Sequence, residues 1–373
     1  MSVAEYEIDY SDVAGRRIEC PPQCGLCCLC QPEVLPEERA YFRSRHPECL
    51  IKTRGADPHF ALALKKGKGS CVFLEDRRCR IYDHRTAYCR QFPFHFYVSD
   101  RVKVELDLSC RGAWYGTGAD AEAEARSLAA AADRRLSSAV REASAVYREF
   151  YANCREAGVM SDPVLLRTSV SGNISSFTDL GYISRVMELS LEEPRMSLEG
   201  VRPEGAPDME ELEDAARSAA MESLGYEDPV SVPVYCDRDW NWNLFMARED
   251  SIEWAVLDDD GEIHHRAFAD PAKIGLRPPE PEGARVLAEY LSVLNGRDSM
   301  MGSVFALMDE TGYEDDMANA YYGALSATVL DVLWRASMLD HFMSTGMGAE
   351  GMKETIIFYD MDRLDAPTIG AFV

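Results

Sequence analysis

Five thiols fall within eleven positions in "CPPQCGLCCLC" at 20–30: Cys20, Cys24, Cys27, Cys28 and Cys30. Thiols this dense cross-link, hold a metal or do redox chemistry. Cys71, Cys79 and Cys89 follow in "SCVFLEDRRCRIYDHRTAYCRQFPF", and Cys110 in "DLSCRGAWYG". With Cys20, Cys24, Cys27 and Cys28 they make eight candidate metal ligands. Thiolates are soft donors that suit zinc or iron–sulfur clusters. Adjacent side chains diverge, so Cys27 and Cys28 serve two metals more easily than one, or one binds while the other packs. Eight thiols suffice for two four-coordinate centres, or for one cluster with thiols left over.

The flanking residues fit an anionic thiolate centre. Arg78, Arg80, Arg85 and Arg90 surround Cys79 and Cys89. Guanidinium groups there would offset charge and donate hydrogen bonds to sulfur, although a mixed exposed loop would read the same way. Phe73, Tyr82, Phe92, Pro93, Phe94 and Phe96 can wall a site off from water, but a small irregular subdomain needs such aromatics simply as its core. His84 and His95 are weaker ligand candidates with eight thiols at hand. Cys154 lies on an apolar helical stripe, and it and Cys236 are assigned to packing.

The cysteine segments resemble the CxxCxxCC cysteine-cluster family, described as zinc- or iron-chelating proteins. Its motifs occur here in order: a C-x-x-C-G-x-C-C segment, a C-x-F-L turn, C-x-I-Y, and C-R-x-F-P. The resemblance covers 20–112. The first spacing is three residues rather than two, Thr86 stands where the family usually has proline, and Cys30 and Cys49 have no family counterpart. A more distant similarity to flagellin lysine N-methylase implies an iron–sulfur cluster and S-adenosylmethionine. No glycine-rich strand–turn–helix fingerprint for that cofactor is visible, and "YGTGAD" reads as a loop leading into a helix.

Charge is unevenly spread over the 373 residues, whose net is −25. Residues 1–118 carry 18 Lys+Arg against 16 Asp+Glu, and the remainder 21 against 48, a net of −27. An acidic surface of this kind repels nucleic acid and anionic membranes. It suits a salty cytoplasm, or docking of a basic, lysine-bearing protein partner. The N-terminal "MSVAEYEIDYSDVAGRRIE" is acidic and lacks the apolar core of a signal peptide. The longest apolar stretch, 320–334, is broken by Asp331 and followed by Arg335. The expectation is a cytoplasmic protein with no membrane span, where clustered cysteines favour metal over disulfides.

Elements must position these thiols. Leu128, Leu136, Val140, Ala143, Tyr147, Phe150 and Cys154 recur at three- and four-residue steps over 120–157, and Gly158 ends the run, which predicts a long helix. Helices are also predicted at 176–194, with Thr178 as N-cap and Pro194 as stop, and over "DMEELEDAARSAAMESLG". Strands are predicted in "VSVPVYC", "WNLFMARE", "SIEWAVLD" and "EIHHRAFA", the last two joined by a "DDDG" turn whose Asp258–Asp260 run has a turn role rather than a cation role. Helices follow at 282–295, 299–311 and 317–344, the last a central core helix, and "ETIIFYD" reads as a final strand.

The expected fold is α+β: an irregular cysteine-rich metal-binding subdomain over 1–118, then an acidic body over 119–373, mostly helical with a small antiparallel sheet. The expected function is metal binding through a [4Fe-4S] iron–sulfur cluster. The alternatives are a structural zinc module in an interaction protein, metal delivery, and an S-adenosylmethionine-dependent protein lysine methyltransferase. No catalytic residue can be named.

Overall fold

The structure, a computed structural model, describes residues 6–54, 58–225, 232–248 and 250–373. The first third is built of short pieces: β1 (Ile8–Asp9), β2 (Arg17–Ile18), α1 (Arg39–Arg45), β3 (Leu50–Lys52), β4 (Phe60–Leu62), β5 (Leu74–Glu75), β6 (Arg78–Cys79), α2 (Ala87–Gln91), β7 (Phe94–Val98), β8 (Val102–Leu106) and β9 (Ala119–Asp120). The body holds α3 (Ala121–Ala157), α4 (Pro163–Asn173), α5 (Leu180–Glu192), α6 (Met209–Ser223), β10 (Val234–Cys236), β11 (Trp242–Arg248), β12 (Ser251–Leu257) and β13 (Ile263–Ala269). It closes with α7 (Pro281–Gly296), α8 (Asp298–Glu310), α9 (Met317–Met343), α10 (Ala349–Leu364) and β14 (Ala371–Phe372). With 51% of residues helical and only small sheets, the fold is α+β and mostly helical. Among the described residues, no helix is long and apolar enough to cross a membrane.

Helix α3 follows from its sequence. Asp120 caps it by accepting from the Ala123 N–H at 2.8 Å, and Gly158, at φ 75°, ends it in the left-handed conformation. Ala121, Ala125, Ala129, Ala132, Leu136, Val140, Ala143, Tyr147, Phe150 and Cys154 form its buried stripe. Helix α9 is buried on nearly every face, as a central core helix must be.

Three expectations change. "ETIIFYD" is not a strand but the middle of α10, where Ile356, Ile357 and Phe358 pack into the main core. Its β-branched pair favours a strand only locally; burial on all sides and ion pairs from Glu354 to Arg111 and Asp360 to Arg297 hold the helix. Helix α5 is capped by Asp179, which accepts from the Tyr182 N–H at 2.9 Å, and it ends at Glu192 before Pro194. Thr178 sits one turn earlier, its hydroxyl donating to the Ser175 carbonyl. Helix α4 was not expected, although Asp162 at the N-cap and Pro163 in the first turn are its signals.

Two four-stranded sheets frame the body. One is the meander β10-β11-β12-β13, antiparallel throughout. Residues 230–231 of the expected first strand lie outside the described residues. The "DDDG" turn forms as expected: the Asp258 carboxylate accepts from the Asp260 and Glu262 N–H groups and from the His264 ring, each at 2.9 Å. The other sheet runs β1-β8-β7-β14, with β1 parallel to β8 and the C-terminal β14 antiparallel to β7. Phe94, Phe96, Val102 and Val104 of the β7–β8 hairpin belong to the same core as α3, α9 and α10.

The cysteine-rich pieces rest on the meander. The loop 65–70 meets the β12–β13 turn through three ion pairs: Lys65–Asp259 at 3.4 Å, Lys66–Asp260 at 2.8 Å and Lys68–Glu262 at 3.1 Å. The Ser70 N–H donates to the Asp259 carbonyl at 2.9 Å. A Cβ on Gly69 would lie 2.4 Å from the Asp259 oxygen, and one on Gly261 2.5 Å from the Lys68 oxygen, so glycine is needed on both sides of this contact.

Candidate metal centre

The "CGLCC" turn is shaped by its glycine. Gly25 has φ 60°, a left-handed conformation that costs an L-residue about 1–2 kcal/mol. It also lies against Trp242, whose ring would be 3.2 Å from an added Cβ. From Gly25 the chain makes a single 3-10 turn, Leu26–Cys28, closed by the Cys28 N–H on the Gly25 carbonyl at 3.0 Å. Cys71 is tied to this turn by its N–H, which donates to the Cys28 carbonyl at 2.7 Å. Cys79 lies on β6, opposite Leu74 of β5. Cys89 lies in the first turn of α2, where Thr86 is the N-cap. The Thr86 oxygen accepts from the Cys89 N–H at 3.4 Å and its hydroxyl donates to the Cys89 sulfur at 3.2 Å. Threonine thus does at position 86 what proline cannot: it caps and touches the thiol at once. The chain after Cys110 packs its backbone closely on the residues before Cys20. A Cβ on Gly112 would lie 2.3 Å from the Glu19 oxygen, and one on Gly118 2.2 Å from the Ile18 oxygen.

These pieces enclose one cavity of about 620 Å³. All eight expected cysteines, Cys20, Cys24, Cys27, Cys28, Cys71, Cys79, Cys89 and Cys110, line it. Cys30 lines it as well, although it was not a candidate; its place in the same cysteine-rich turn was the available signal. Cys24 and Cys71 are buried, Cys20 and Cys30 are exposed at the rim, and the other five lie between. Arg77, Arg78, Arg85 and Arg90 border the cavity. Arg80, expected among them, turns to Glu75 at 3.4 Å, and Arg77 takes its place. Phe73, Tyr82, Phe92 and Pro93 supply wall, while Phe94 and Phe96 belong to the body core. His84 packs on Tyr41 and His95 pairs with Asp107 at 3.2 Å. Among the described residues, no three Cys, His, Asp or Glu side chains already converge as a ready-made ion site; the thiols ring the cavity instead.

Residues 19–111 match the CxxCxxCC family. The family is described as a "putative zinc- or iron-chelating domain", and the match takes in all nine cavity cysteines. No curated protein and no solved structure matches the chain, so a similarity to flagellin lysine N-methylase is not shown.

The remaining cysteines sort by contact. Cys49 packs beside the cysteine-lined cavity with Val34, Phe42, Leu62 and Phe73. Cys154 is fully buried in the stripe of α3. Cys236, from the meander, is fully buried against Cys24, Leu26, Leu74 and Trp242. Nothing in its sequence neighbourhood announces that contact.

Electrostatics keep most of the cavity thiols protonated without a cation. Burial pushes the Cys71 thiol up to about 11, and raises Cys79, Cys89 and Cys110 as well. Cys20 and Cys30 touch solvent, yet the protein around them desolvates their thiolates and takes both to about 11. Cys27 is raised first by its hydrogen-bond contact with Cys28, then by burial. Cys24 goes the other way, to about 7, because the Cys236 thiol donates to it; burial opposes this, and the Leu26 N–H, Arg111 and Arg77 support it. Cys236 is raised in turn, first by that hydrogen bond and then by burial, and the two thiols titrate as a pair. Nearly every cavity thiol is further raised by its neighbours. A bound cation inverts that repulsion, since a coordinating thiol loses its proton outright.

Proposed function

We propose that the CxxCxxCC segment holds an iron–sulfur cluster in the cavity, ligated by four of Cys20, Cys24, Cys27, Cys28, Cys71, Cys79, Cys89 and Cys110. The observation that carries this reading is that all eight thiols, from five separate pieces of chain, line one cavity of about 620 Å³. That volume lies in the range of cofactor sites and far exceeds what one ion needs. Four bordering arginines supply counter-charge for an anionic cluster, and the cavity is lined with Phe73, Phe92, Leu26 and Leu74, which limit water access. The cluster would supplement the small apolar clusters of this loop-rich segment, since metal–thiolate bonding converts directly into folding energy. No specific observation favours the methyltransferase alternative, and it forms no part of the proposal.

The test is purification without oxygen, followed by metal, sulfide and absorption measurements. The expected outcome is a brown protein with iron and acid-labile sulfide in about equal amounts. A colourless protein carrying zinc and no sulfide would replace the cluster by a structural zinc centre.

A further inference from the structure

Cys236 lies far outside the cysteine-rich segment, yet it packs directly behind Cys24 without lining the cavity itself. Strand β10 delivers it in register with Trp242 of β11, and its side chain is fully buried. It packs in one buried cluster with Cys24, a cavity-lining residue. Otherwise it has only weak contacts, with the Cys24 and Asp237 carbonyl oxygens, both at 3.9 Å.

Both backbones at this contact are pinned. The Cys24 carbonyl accepts from the Trp242 indole N–H at 2.9 Å and from Arg77 at 3.4 Å. The Arg77 guanidinium stacks 3.5 Å over the Trp242 ring, which is itself fully buried. The Cys236 carbonyl accepts from the Arg111 Nε, and the two remaining Arg111 nitrogens fork onto the buried Glu354 of α10. Arg111 directly follows Cys110, so the same anchor places a third thiol nearby. A cysteine that served only as a small hydrophobe would need no second sulfur against it and no charged clamp behind it. All three cysteines are free thiols.

We propose that Cys236 donates a thiolate to the metal centre beside Cys24, so that the bound metal ties the β10–β13 meander to the CxxCxxCC segment. The inference rests on the metal-centre reading and extends its donor set into the body. On binding, the metal–sulfur bond replaces the S–H bond and the proton leaves to solvent. Arg111, held on the Cys236 carbonyl, offsets the added negative charge.

The experiment loads the reduced full-length chain with Co²⁺ under anaerobic conditions and follows thiolate-to-cobalt charge transfer, whose strength grows with the number of bound thiolates. Cys236→Ala is expected to weaken Co²⁺ affinity by at least about tenfold and to lower the charge-transfer intensity per cobalt. Cys154→Ala, the buried packing control, keeps both. An unchanged affinity and spectrum in Cys236→Ala, with both reduced in Cys24→Ala, overturns the inference and leaves the metal centre standing. A wild-type chain that binds neither Co²⁺ nor iron overturns the metal reading and this inference with it. A wild-type measurement covers the case in which Cys236→Ala fails to fold: amide exchange at Val234–Cys236 is expected to slow on Co²⁺ addition together with exchange at 24–28. Slowing at 24–28 alone overturns the inference.

Discussion

At the residue scale, the cavity depends as much on what is absent from a position as on the thiols themselves. Gly25 combines a φ of 60° with a wall of Trp242 and Leu74 side chains 3.2–3.4 Å from where a Cβ would stand. Gly25→Ala therefore pays the left-handed penalty and must also push the tryptophan that holds the Cys24 carbonyl. The expected loss is about 1–2 kcal/mol from the backbone alone, accompanied by weaker metal binding, because Cys24, Cys27 and Cys28 all hang from this turn. Urea unfolding and metal titration of the same variant check the two halves. A stable variant with full metal affinity would mean the turn relaxes without moving its thiols. The thiol cluster itself was legible, since cysteine spacing alone put eight candidates in the first third. Two placements were not: Cys30, which lacks a family counterpart, lines the cavity, and Cys236 is packed behind Cys24 by a strand pairing that no local pattern encodes.

At the element scale, legibility follows exposure. Helices α3 and α7 show a polar face to water, so their buried residues recur with the helical period and could be read. Helix α10 is buried on several faces, its period is lost, and Ile356 and Ile357 suggested a strand instead. The β7–β8 hairpin was hidden among cysteine motifs, with even Lys103 and Glu105 buried and paired, to Asp9 at 2.7 Å and to Ser299. The contact between loop 65–70 and the β12–β13 turn makes a quantitative contrast. Its three ion pairs join side chains that are mostly a quarter to a half exposed or more, and such solvent-screened pairs contribute little to stability. The backbone approach at Gly69 and Gly261 leaves no room at all for a side chain. Gly69→Ala is therefore expected to destabilise the protein more than Lys66→Ala and Lys68→Ala combined, and only the lysine variants should lose their deficit as salt is raised. Thermal unfolding at low and high ionic strength distinguishes these outcomes; a larger loss from the lysine pair would assign the contact to charge instead of backbone fit.

At the scale of the whole molecule, the two kinds of core predict two kinds of stability. The main core is continuous from the β7–β8 hairpin through α3, α9 and α10, and includes none of the cavity cysteines. The cysteine-rich pieces have only small apolar clusters of their own, one around Phe42, Leu62 and Phe73 and one around Cys24, Leu74 and Trp242. Clusters of that size offset little of the entropy of ordering the many short turns between Cys20 and Cys89. Metal removal should then loosen this segment while sparing the helices, which lie mostly beyond residue 120. The expected result is nearly unchanged far-ultraviolet circular dichroism in the metal-free chain, together with new tryptic cleavage after Arg77, Arg78, Arg85 and Arg90, the arginines that border the cavity. Metal-loaded protein should resist cleavage at these sites under the same conditions. Loss of helical signal on metal removal would show that the body depends on the centre for its fold. Equal resistance with and without metal would show that the small clusters, the loop contact at Gly69 and the Trp242 anchor hold the segment by themselves, which would move the role of the thiols from folding to chemistry.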